Sequence, residues 1–390
     1  MKKIISFFFF FVLGINLPLS AQTTLAKGDI VLLGINACFN NHCKKKNHNE
    51  IDDKIYLVPL DHLRQGTSFI ITDNGWERVN DNYFGTTEGV LRFTSRKYIK
   101  KGTVIALNII PTSDKNKLEK VNPDWKVEVL NGNNNKFDFA QHDQFFLVDG
   151  KNQWSNSGKL EAEPYLFAFN NKIVWEGKTG SSNDSSLPGE NPNNDNKKDL
   201  RNFHLSLLAE KKEDFKHYHY YNGPKTSTSR NQWMIRLLNP NNWKTEESHN
   251  EFDNNFKPEN LEVNDLIGEI KVCEGENITL EIEKDGEKSI QEVVGWYKST
   301  VNTLSNPTEI SSSTSNLLTI QANETGTFFY FAKIKYTLNH KKNQDGTIQS
   351  NSAVVNSGYY RVIVNKSVET TPIEPVSYTH LRAHETLRYL

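Results

Sequence analysis

Cysteine and methionine are scarce in this chain: three Cys (Cys38, Cys43 and Cys273) and two Met among 390 residues. Three cysteines exclude a small domain stapled by several disulfides. No sign of charge prevails either, with 46 Lys and Arg against 47 Asp and Glu. Without a global field, nothing favours nucleic acid or an anionic membrane as partner. The sequence also lacks G-x-S-x-G, H-E-x-x-H, a P-loop and a dinucleotide fingerprint, the spacings that place nucleophiles, metal ligands and phosphate cradles. Carboxylates are plentiful, but nothing in their spacing singles out an acid/base pair.

What is present begins with a leader. Met1-Lys2-Lys3 is basic, Ile4 to Leu13 is apolar with five consecutive Phe, and Leu19-Ser20-Ala21 offers small residues before Gln22. This order predicts a secretory signal peptide over residues 1–21. The run is too short to span a bilayer, no stop-transfer pattern follows, and Gln22 stands where a lipoprotein needs Cys. The expectation is a secreted or cell-surface protein whose mature chain has no transmembrane segment. At the other end, Val376-Ser377-Tyr378-Thr379-His380-Leu381-Arg382-Ala383-His384-Glu385-Thr386 resembles a translated transposase-type sequencing adapter. Residues 376–390 are therefore expected to be non-native, the His380/His384 spacing is set aside, and the natural C-terminus is expected to lie elsewhere.

Between these ends, short β-type runs dominate. They include 29–35, 54–58, 68–72, 89–93, 103–109, 126–130, 144–148 and 165–169, separated by Gly, Asn, Asp or Pro. The pattern predicts an all-β, sandwich-like domain over 26–253. Asn170-Asn171 reads as a hairpin turn into Ile173–Trp175, and 177–199 as a long polar loop. One short helix is expected after Ser229-x-x-Gln232, a capping box, with Asn239-Pro240 stopping it. Residues 254–265 read as a linker. A second set of strands over 266–366 carries Trp296 on its third strand, where an immunoglobulin-type sandwich keeps its core Trp.

The order of motifs in 26–253 resembles a domain of secreted, multidomain bacterial proteins of unassigned activity. Lys27-Gly28-Asp29-Ile30-Val31 matches its opening strand, and Ile71-Thr72-Asp73-Asn74-Gly75-Trp76 its FTDNGW-type motif. Thr87-Glu88-Gly89-Val90-Leu91, Phe145–Gly150, Pro164–Phe169, Tyr221-Asn222-Gly223 and Leu238–Trp243 follow in order. Residues 38–53 are an insertion relative to that pattern. Residues 268–365 resemble a bacterial Ig-like domain without the inter-sheet disulfide, since Cys273 has no second Cys to meet. The resemblance implies a fold but no reaction.

Several positions compete for a functional role. Asp73 and Asn74 with Glu88 could hold Ca²⁺, which takes carboxylate and carbonyl oxygens; the competing reading is a tight turn in which Gly75 takes positive φ and Trp76 packs inward. Cys38 and Cys43, with His42 and His48 near, admit a disulfide, free thiols or a metal; export favours the disulfide. His217 and His219 share one face of a strand, as ligands, a sugar-stacking surface or plain structure. Trp76, Trp125, Trp154 and Trp175 serve either as core or as stacking platforms. Extracellular targeting, loop-rich β-scaffolds and missing catalytic signatures together lead to binding or adhesion, with a glycan or surface protein as ligand and no cofactor beyond calcium. The alternatives are the non-catalytic part of a truncated extracellular enzyme of carbohydrate-active or nuclease type, or a structural surface or motility component.

Overall fold

The computed structural model describes residues 22–37, 53–77, 83–131, 137, 139, 143–155, 164–171, 175–181, 184–188, 200–207, 218–282, 290–342 and 348–367. The N-terminal region opens with β1 (Ile30–Asn36), β2 (Asp53–Pro59), β3 (Ser68–Thr72), β4 (Trp76–Glu77) and β5 (Tyr83–Phe84). It continues with β6 (Val90–Ser95), β7 (Ile105–Ile109), α1 (Lys115–Val121), β8 (Trp125–Val129), β9 (Gln144–Asp149) and β10 (Tyr165–Asn170). It closes with β11 (Glu176–Ser181), β12 (Asp184–Ser186), β13 (His204–Ser206), β14 (Tyr218–Tyr221), α2 (Arg230–Leu238), β15 (Trp243–Glu246) and α3 (His249–Asn255).

These strands form three layers. A front sheet runs β15-β14-β1-β2-β7, a central sheet β13-β10-β9-β3-β6-β8, and a small outer sheet β11-β12-β4-β5. The central sheet explains the unbroken apolar runs. On β9, Phe145 and Leu147 face the front sheet's core while Phe146 and Val148 face a second core beneath the outer sheet. Strands buried on both faces lose polar alternation. On β10 a register shift between Tyr165 and Phe167 lets Leu166 and Phe167 both reach the front core, as an extra bulge residue permits. Each large side chain so buried stabilises the fold by roughly 1.5–3 kcal/mol.

The fold is all-β, as the strand pattern predicts, and the capping-box helix forms. Ser229 caps α2, accepting from the Gln232 amide, and Trp233, Met234, Ile235, Leu237 and Leu238 are buried. Two further short helices appear. Asp114 caps α1, which buries only Leu118; Ser248 caps α3, which buries Phe252. One buried residue in two turns leaves too little helical periodicity to read. Two local expectations are corrected. Asn170-Asn171 closes no hairpin, because β10 pairs with β9 and, in parallel, with β13. The expected polar loop contains β11 and β12, which pair with each other, and β12 pairs in turn with β4.

The stretch 256–265 lies along the N-terminal domain. Phe256, Leu261 and Val263 are buried. Leu261 N–H donates to Gly102 O at 2.8 Å, and Trp233 Nε1 donates to Glu262 O at 2.8 Å. Its polar composition conceals the alternating Leu261 and Val263 that anchor it.

The C-terminal strands are β16 (Leu266–Cys273), β17 (Asn277–Glu281), β18 (Ile290–Ser299), β19 (Thr308–Ser311), β20 (Leu317–Gln321), β21 (Gly326–Lys342) and β22 (Ile348–Asn365). They make a five-stranded sheet, β16-β22-β21-β18-β19, and a pair, β17-β20. Trp296 is fully buried, and its Nε1 donates to Ser315 O at 3.0 Å. This meets the expectation of a core Trp. Cys273 is an exposed free thiol. Asn231 of α2 donates to Asn356 O of β22 at 2.9 Å, joining the two regions. No helix among the described residues is long and apolar enough to cross a membrane.

Candidate functional site

The Thr72–Trp76 turn is a buried structural knot. Asp73 and Asn74 are fully buried. Asn74 Nδ2 donates to Thr72 Oγ1 at 3.0 Å, and its Oδ1 accepts the Glu88 amide at 3.0 Å. Thr72 Oγ1 donates to Gly89 O at 2.9 Å, and Gln144 Nε2 to Asp73 O at 2.6 Å. Asn131 extends the knot, accepting from Val90 N–H at 3.1 Å and donating to Glu88 O. The turn thus ties β3 to the start of β6 and to β9. Asn74 and Glu88 meet, but through the Glu88 backbone rather than as two oxygen ligands. Among the described residues no three His, Cys, Asp or Glu side chains are grouped to hold a metal. Gly75 stands outside the positive-φ glycines Gly28, Gly66, Gly102, Gly275 and Gly326. The hydrogen-bonded Asn side chain makes the turn without it.

Trp76 does not offer its ring to a surface ligand. It is buried edge-on against Phe84 at 5.0 Å and Tyr165 at 5.5 Å, and Ser185 Oγ accepts its backbone N–H at 2.8 Å. Trp125 and Trp175 are likewise buried, whereas Trp154 packs half-buried against the second core. His219 is also buried, its Nδ1 2.9 Å from Thr245 Oγ1 and its ring 6.3 Å from Phe169. A histidine between two sheets is a core residue here, not a surface ligand. His217, Cys38 and Cys43 lie outside the described residues.

A groove able to receive a ligand lies elsewhere, where the two main sheets end. β7 is the last strand of the front sheet and β8 the last of the central sheet. Between them opens a cavity of about 530 Å³, lined in part by Lys97, Tyr98, Lys100, Ala106, Asn122 and Trp125. Helix α1 and its C-cap manage both strand edges. Val127 N–H donates to Glu119 Oε1 at 3.1 Å. Asn122 does more: its Oδ1 accepts Asn108 N–H at 2.9 Å while its Nδ2 donates to Asn108 O at 2.8 Å.

Lys97 and Lys100 of the lining flank an aromatic, Tyr98, with Arg96 and Lys101 beside them in sequence. Arg96 pairs with Glu119 at 2.5 Å, Lys97 with Asp124 at 2.7 Å and Lys101 with Asp265 at 3.1 Å. Tyr98 is 56% exposed and stacks on His62 at 5.6 Å. The Lys101 amide and the Tyr98 hydroxyl both reach His62 Nδ1, at 3.2 and 2.5 Å. Sequence reasoning missed this groove. Its one legible sign is Arg96-Lys97-Tyr98-Ile99-Lys100-Lys101, basic residues flanking an aromatic between two strands. No protein family, curated protein or solved structure matches the chain.

Proposed function

We propose that this chain acts outside the cytoplasm, secreted or held at a cell surface, as a non-catalytic binding or adhesion protein. The observation that carries this reading is the groove between β7 and β8, with its exposed Tyr98 and flanking Lys97 and Lys100 on a rigid double-sheet frame. Concave sites with an apolar wall and a few directed polar groups are where ligands are received, and rigid β-frames commonly present such sites from their connecting segments. The leader pattern of residues 1–21 supports an extracellular setting, and a glycan or surface protein is the ligand class that setting supplies. The C-terminal strands serve as an Ig-like spacer or second binding unit.

The test is to probe glycan arrays and panels of extracellular and bacterial surface proteins with the purified chain, alongside Tyr98→Ala and Lys100→Glu variants. Binding that falls in both variants supports the reading. Chemical turnover of a bound ligand, or binding indifferent to both substitutions, counts against it.

A further inference from the structure

We propose that the open edge of β7 at Ala106 receives an extended peptide segment of a protein partner, added beside the front sheet, with an acidic side chain of the guest meeting Lys100. This rests on the groove reading above and names its partner class.

The argument starts from strand geometry. Asn108 and Ala106 face Lys54 and Tyr56 of β2. Asn108 gives its N–H to Asn122 instead of β2. In an antiparallel pair, alternate residues turn both backbone groups the same way, so Ala106, two residues earlier, also turns its N–H and C=O away from β2. Just before β7, Val104 likewise gives its N–H to a side chain, Asn260 Oδ1, at 2.9 Å. Side-chain amides thus occupy the positions on either side, and Ala106, exposed between them, faces the cavity.

Asn122 shows what chemistry fits this edge. Its carboxamide accepts from and donates to the same residue of β7, the two-bond exchange that one residue of an antiparallel neighbour makes. A guest residue opposite Ala106 would make the same exchange, and its flanking residues would run along the cavity. Strand addition draws affinity from such main-chain bonds and specificity from side-chain pockets. Charge supplies the second half. Along the 96–101 segment Arg96, Lys97 and Lys101 have carboxylate partners, whereas Lys100, which lines the cavity, is exposed and has no ion pair among the described residues. A guest carboxylate completes the set.

Ala106→Pro tests this. Proline deletes the outward N–H, and an edge strand tolerates it on the side that faces solvent. The probe is a phage-displayed library of random dodecapeptides, selected on the full chain. Synthetic copies of recovered peptides are titrated against wild type, Ala106→Pro, Ala106→Ser and Lys100→Glu, with amide exchange followed in the wild type. Expected are acidic, β-branched peptides that lose about tenfold or more on Ala106→Pro, stay near wild type on Ala106→Ser, weaken on Lys100→Glu, and slow exchange at the Ala106 amide. Recovery of no peptide, equal binding to Ala106→Pro, or an unprotected Ala106 amide in the bound wild type overturns the proposal. Should Ala106→Pro not fold, the exchange result decides alone. Glycan binding that survives Ala106→Pro while no peptide binds would leave the binding-protein reading standing and remove this one.

Discussion

Gly102 and Leu261 touch so closely that a Cβ built on Gly102 would lie 1.9 Å from Leu261 O. Gly102 sits at φ +81, and its carbonyl accepts the Leu261 amide. Gly102→Ala therefore adds a backbone clash to left-handed strain, and a loss of about 3 kcal/mol or more is expected by denaturant unfolding. Gly275, at φ +91 with nothing within 4 Å of its Cβ position, is the control; Gly275→Ala should cost about 1–2 kcal/mol from strain alone. Equal losses would mean that the Leu261 contact contributes nothing.

Trp296→Ala should cost roughly 3–5 kcal/mol, the range for emptying a large aromatic site. The ring is wholly buried, and its Nε1 ties β18 to Ser315. Unfolding of the full chain, followed by fluorescence and circular dichroism, reads the loss. A change under about 1 kcal/mol would show a site that collapses without penalty.

Asn74→Ala strips a buried turn of three partners at once, Thr72 Oγ1, Gly89 O and the Glu88 amide. Leaving such groups unpaired costs about 1–3 kcal/mol each, less what relaxation recovers, so a loss of about 2–4 kcal/mol is expected. Calcium should not move the unfolding midpoint of the wild type. A calcium-dependent rise abolished in Asn74→Ala would restore the cation reading of Asp73, Asn74 and Glu88.

Burial, aided by the hydrogen bond to Glu246, raises the Tyr220 phenol to about 12 from the ordinary 10.0. Burial with the nearby Asp253 charge does the same to Tyr56. The folded state holds these protons more tightly than the unfolded chain does. Their stabilisation is therefore whole below pH 10 and is lost as pH rises toward 12. Burial raises the Tyr218, Tyr297 and Tyr330 phenols as well, so an alkaline titration of phenolate absorbance should show a set of late groups, with one fewer in Tyr220→Phe. Titration of every tyrosine near 10 would contradict the assignment.

The thiol census follows from export and from the exposed Cys273. With Cys38 and Cys43 joined, as an oxidising compartment favours, labelling under denaturing, non-reducing conditions should reach Cys273 alone. Three labelled cysteines would refute the pairing.

Strand positions were legible because β-branched and aromatic runs are bounded by turn residues, and β3 matches its expected limits, Ser68–Thr72. The Ser229 cap was legible for the same local reason. Layering was not. The second core depends on which sheet meets Phe146 and Val148, and a continuous apolar run does not say what covers each face. The Asp73 turn was legible as a turn, but the burial of Asn74 and Trp76 comes from β9, β10 and β12, distant in sequence. The groove was hidden more deeply. It arises where β7 and β8 end two different sheets, and its key group is the backbone of an alanine, which carries no side-chain signal.

The front sheet also dictates an order of assembly. β1 lies between β2 and β14, with Gly34 opposite both Tyr56 and Tyr220. A chain made from its N-terminus thus holds β1 with one edge unfilled until β14 emerges. Such distant pairing slows folding and exposes apolar edges meanwhile. A ribosome-stalled or C-terminally truncated fragment ending before Tyr218 should be a client of holdase chaperones, and release of the remaining strands should end that dependence.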